Sequence, residues 1–79
     1  MNASRPEHAG VWLADGRPVR FIWRGRLYSV LSVVERPAAD AVPAVWRVLA
    51  SPGKNVPAAA FRLWPDPVTG DWLLTRDSG

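Results

Sequence analysis

The chain has 79 residues, no cysteine and a formal net charge of +3, which leaves room for one domain and excludes disulfide support and thiolate metal sites. A domain this small hides only about 60% of the surface its unfolded chain exposes. At roughly 0.05–0.15 kcal/mol per residue, its net stability is on the order of 4–12 kcal/mol.

Residues 1–10, MNASRPEHAG, show no periodicity and read as a flexible leader without the apolar stretch of a secretion signal. No apolar run is long enough to span a membrane. With the lack of cysteine, this predicts a cytoplasmic protein. A single β domain is expected over 11–77, followed by a two-residue tail at 78–79.

Val11–Ala14 reads as a short strand, and Asp15-Gly16 behind it is a two-residue hairpin signal. Pro18 has no amide hydrogen and limits how the next strand can pair. From Val19 to Trp23 the residues alternate, with Val19, Phe21 and Trp23 on one face and Arg20 and Ile22 on the other. Arg24-Gly25 is the next turn, because glycine reaches positive φ at little cost. A two-residue turn places Trp23 opposite Arg26 and puts Tyr28 and Val30 on the Phe21 face. The phase slips over Leu31–Val34, which predicts a bulge or a bent strand.

Residues 36–44, RPAADAVPA, form a loop, and VWRVLA (45–50) a strand. After the loop SPGKNVP come AAFRLW (59–64), the turn PDPVTGD and the return strand WLLT. In that turn proline presets φ and Gly70 takes a left-handed position, with Trp64 and Trp72 expected to pack across the strands. No run supports a helix of ten residues. The chain is therefore predicted to be all-β, a small, strongly bent antiparallel sheet or SH3-like barrel of 4–6 short strands.

Three arginines lie mid-strand, in VRF (Arg20), WRV (Arg47) and FRL (Arg62), and alternation turns all three outward. Arg24 and Arg26 sit at a hairpin tip, while the acids fall in turns, loops and the tail or, for Glu35, at a strand end. Guanidinium forks match phosphate oxygens, and small barrels bind single strands by joining a basic groove to aromatic platforms. Trp46 and Trp64 lie on strands that are apolar on both sides, so one of them is expected to reach the surface beside an arginine. Against this, arginine stems also cover apolar surface and charges on strands prevent edge aggregation.

Catalytic constellations are missing from the sequence. His8 is the one histidine and falls in the leader. Ser29 and Ser32 have no histidine near them, and Glu35 and Asp40 carry no sign of the burial that acid–base work needs. The Gly-Lys of SPGKNV lacks the upstream glycine and the following Ser/Thr of a phosphate loop. No enzyme activity, metal or small-molecule cofactor is expected.

RPVRFIWRGRLYSVLSVVERP and WPDPVTGDWLLTR together resemble a family of small uncharacterised bacterial proteins, a domain of unknown function. Phe21, Trp23, Arg24, Gly25, Arg26, Tyr28 and Val30 match its first hairpin. Trp46 matches its internal strand, and Asp66, Pro67, Thr69, Gly70 and Trp72 its last hairpin, so the likeness covers about residues 17–76. Some members are encoded near error-prone DNA polymerase genes, which implies an accessory role in DNA handling. The expectation is a binding module that contacts nucleic acid or a DNA-handling protein through Arg20, Arg24, Arg26, Arg47, Arg62, Trp46 and Trp64. In that reading, Arg20→Glu with Arg47→Glu abolishes binding. The alternative is a protein–protein module that dimerises or adds a strand through a sheet edge.

Overall fold

A computed structural model describes residues 5–77. It contains β1 (Glu7–Ala14), β2 (Arg17–Trp23), β3 (Arg26–Glu35), β4 (Trp46–Ser51), β5 (Ala59–Pro65) and β6 (Trp72–Arg76), and no helix among those residues. Each strand pairs antiparallel with the next, and β6 returns to β1, so the sheet closes into a barrel. The all-β class and the closed form are those expected from the sequence.

Two of the predicted turns have the left-handed geometry that two-residue hairpins require. Asp15 and Gly16 have φ of 52° and 77°, Arg24 and Gly25 of 53° and 75°. Two consecutive positive φ values match the right-handed twist of the flanking strands. Trp23 lies opposite Arg26 and Phe21 opposite Tyr28. In the β5–β6 turn the Asp66 carboxylate accepts from Val68 N at 2.9 Å, and Gly70, at φ 81°, donates to Asp66 O at 2.8 Å. The expected phase slip in β3 is present as two register shifts, between Val30 and Ser32 and between Val33 and Glu35.

The core follows from the alternation. Phe21, Val48, Ala50, Phe61, Leu63 and Leu74 are buried, with Trp23 nearly so. Phe21 stacks on Tyr28 with centroids 5.1 Å apart and interplanar angle 2°, and Phe61 meets Phe21, Trp23 and Tyr28 edge-on at 5.1–5.3 Å. Such geometries add about 0.5–1.5 kcal/mol per pair beyond area burial. Pro18 is fully buried, its missing amide tolerated at a register irregularity.

Two expectations need correction. β1 begins at Glu7, so residues 7–10 belong to the barrel and not to a leader; Glu7, His8 and Ala9 pair with Leu74, Leu73 and Trp72. Residues 1–4 and the tail at 78–79 lie outside the described residues. Trp64 and Trp72 do not face one another, because Trp64 is opposite Leu73 and Trp72 opposite Pro65. Directly opposed residues share a face, so Trp72 packs with the core and Trp64 lies on the outside.

Candidate binding surface

The barrel distributes the arginines over three places. Arg20 is on β2, whereas Arg47 and Arg62 are opposite each other on β4 and β5. In a closed order of six strands β2 and β5 are three steps apart either way round. Arg20 and Arg62 thus point from opposite sides of the molecule, and the mid-strand arginines do not share one groove.

On the β4–β5 side the charge is used internally. Arg47 donates to Glu35 at 3.0 Å and to Asp77 at 3.1 Å, and Arg62 lies 3.8 Å from the same Asp77 carboxylate. Two like charges directly opposite one another are held together by acids at their flanks, and the hydrogen bonds that Arg47 donates to Glu35 and then to Asp77 raise its pKa. The Asp77 side chain is only 13% exposed and its amide donates to Ala60 O at 2.8 Å. This cluster fastens Asp77, just past β6, to the sheet.

On the β1–β3 side the outer face has a different character. Trp12, Arg20 and Ser29 form one cross-strand row, and Gly10, Ile22 and Leu27 the next. Trp12 is 50% exposed, Leu27 47% and Ile22 38%. Neither row contains a carboxylate, and among the described residues Arg20 makes no ion pair. An aromatic platform, aliphatic neighbours and an uncompensated guanidinium thus share one curved surface. Arg24 and Arg26 stand at the tip of its β2–β3 hairpin.

Trp12 is the residue that the sequence reading missed. Its pairing with Arg20 depends on a one-residue irregularity: Trp12 is opposite Arg20 while Leu13 is opposite Pro18, so Val19 is unpaired. Without that bulge Trp12 would be opposite Val19 and share the inward phase of Phe21. A proline two residues past the turn was the available signal. Trp46 and Trp64 are both half-buried, Trp46 packing against the core.

At the hairpin tip Arg24 grips Glu7 through two hydrogen bonds of 3.0 and 2.8 Å, its guanidinium 4.5 Å above the Trp23 ring. The Arg24 hydrogen bonds, opposed by desolvation and aided by the Arg24 charge and the nearby Trp23 indole, hold the Glu7 carboxyl below its ordinary 4.5. A depressed folded-state pKa means that the pair's contribution is complete above about pH 4.5 and is lost as pH falls through the lower folded value. The Glu7 hydrogen bonds in turn raise the Arg24 pKa. Thermal unfolding of wild type and Glu7→Gln should therefore differ by a small constant margin at neutral pH, and the margin should shrink as pH falls below about 4.5. A margin that does not shrink on acidification would show that the glutamine acts through packing.

The remaining motifs have structural occupations. Ser51 Oγ lies 2.7 Å from the carbonyl oxygens of both Gly53 and Val56 and accepts from Gly53 N at 3.3 Å, so SPGKNV is a loop built on a buried serine. His8 is exposed on β1. No group of three or more His, Asp or Glu that could hold a metal occurs among the described residues. Comparison of the chain with protein-family models, curated proteins and solved structures returns no match to any of them.

Proposed function

We propose that the protein is a non-enzymatic binding module that takes single-stranded nucleic acid across the outer face of β1–β3. The observation that carries this reading is the half-exposed Trp12 directly opposite the unpaired Arg20. Bases stack on such a platform without regard to sequence, and an adjacent guanidinium serves the backbone phosphates. The resemblance of two of its hairpins to a family of which some members are encoded near error-prone DNA polymerase genes fits a role in DNA handling.

The closed sheet disfavours the strand-addition alternative, which needs an unpaired edge. A protein partner instead finds support in the aliphatic patch of Ile22, Leu27 and Leu31. Salt separates the two. Affinity for a fluorescent oligothymidine should fall steeply between about 50 and 200 mM salt, by roughly 10³-fold for six or more phosphate contacts. Arg20→Ala should reduce the slope of log affinity against log salt by about 1, whereas Arg62→Ala on the far side leaves it unchanged. Equal slopes in both variants would move the contact surface elsewhere. Flat titrations at both salts would favour the protein partner.

A further inference from the structure

At the barrel end where β1 begins and β2 and β6 finish, Arg5, Glu7, Trp23, Arg24 and Arg76 line a recess of about 430 Å³. That size is within the roughly 300–1,000 Å³ range of small-molecule sites, which occur in the mouths of β-barrels. The register explains the convergence. Glu7 is opposite Leu74 and Arg76 opposite Phe61, both inward positions, so these side chains continue the core alternation past the last buried layer.

Three guanidiniums face one carboxylate, and among the described residues neither Arg5 nor Arg76 makes an ion pair. The recess therefore has an excess of two positive charges. Its floor is Trp23, 8% exposed, whose indole Nε1 is buried with no hydrogen-bond partner. The indole lies close enough to Glu7 to help lower its pKa but completes no bond with it. An unmet buried donor is costly, about 1–3 kcal/mol, and an anion entering between Arg24 and Glu7 would supply its acceptor.

We propose that this mouth binds a phosphate monoester. A dianion matches the excess charge, and arginine forks fit its oxygens. A terminal phosphate offers three free oxygens and up to two negative charges to these guanidiniums, where a phosphodiester in mid-strand offers two oxygens and one charge. The mouth is also continuous with the proposed strand surface. A shallow trough along the outside of β1, whose lining includes His8, Gly10, Ile22, Arg24 and one carboxylate, Asp71, shares Arg24 with the recess and Gly10 and Ile22 with the β1–β3 rows. A Cβ at Gly10 would meet nothing within 4 Å, so the trough is open there. The source of the phosphate, a strand end or a free phosphorylated small molecule, rests on the reading of the preceding subsection; the site itself does not.

The test compares oligothymidines with a 5′-phosphate, a 3′-phosphate or two free hydroxyl ends, and titrates inorganic phosphate alone by tryptophan fluorescence. One phosphorylated form should bind at least tenfold more tightly than the hydroxyl form. Arg76→Ala should erase that preference, and Glu7→Gln, which removes the competing charge, should enlarge it severalfold. Retained circular dichroism would confirm that both variants fold. Equal binding of all three strands, with no response to inorganic phosphate, would overturn the site and leave strand binding standing. A phosphate response that depends on Arg76, without binding of any strand, would uphold the site, identify a free small molecule as the source and refute the strand reading.

Discussion

Trp12→Ala is expected to lower affinity for oligothymidine by roughly five- to 150-fold, the equivalent of about 1–3 kcal/mol for one stacked base. The same change should leave the barrel folded, because Trp12 stands on the outer face, half exposed, and is not part of the buried core. Anisotropy titration at about 50 mM salt measures the first effect and thermal unfolding the second. Stacking should also quench the Trp12 component of the emission, and the variant should lose that part of the response. Trp12→Phe keeps a π-face and should recover much of the affinity. Wild-type affinity in the alanine variant would remove Trp12 from the binding surface, and Arg20 would lose its partner with it.

Phe21→Ala is the substitution with the largest expected effect on the fold. Phe21 is fully buried, stacked on Tyr28 and edge-on to Phe61, so its loss opens a cavity between three strands. Such changes cost about 3–5 kcal/mol, a large part of the roughly 4–12 kcal/mol expected for a chain of this length. Urea unfolding should show a midpoint lowered by a quarter or more, or a protein already unfolded in water. Phe21→Leu, which retains most of the volume, should be markedly milder. A small loss in the alanine variant would mean that Trp23 and Tyr28 collapse into the space.

The two predictions differ in how far the sequence alone supports them. Phe21 could be placed in the core from the alternation Val19–Phe21–Trp23 and from a glycine turn that fixes the register of β2 against β3. Both signals are local. Trp12 could not be placed, because its face is decided by an unpaired Val19 that no periodicity reveals. Residues 7–10 read as a leader because Glu, Ala and Gly have low strand preference. Pairing with β6 recruits them, and that partner is distant in sequence. The arginines show the same limit. Alternation correctly turns Arg20, Arg47 and Arg62 outward, but closure of the barrel decides which side of it each faces. The acids Glu35 and Asp77, one at a strand end and the other near the tail, are brought against Arg47 by β3–β4 pairing and by the turn of Asp77 onto Ala60.

The seam between β1 and β6 consists of three residue pairs, against five between β4 and β5, and its partners are more than sixty residues apart in sequence. Loop-closure entropy makes contacts of that separation the last to become favourable during folding. The amides of Glu7, His8 and Ala9 should then exchange by a local opening of lower free energy than that of the central strands. Glu7 and Arg76 stand on opposite sides of this seam, so the charged mouth exists only while the seam is shut. Any anion held there binds the closed barrel and not the opened sheet, which joins occupancy and closure into a single linked equilibrium.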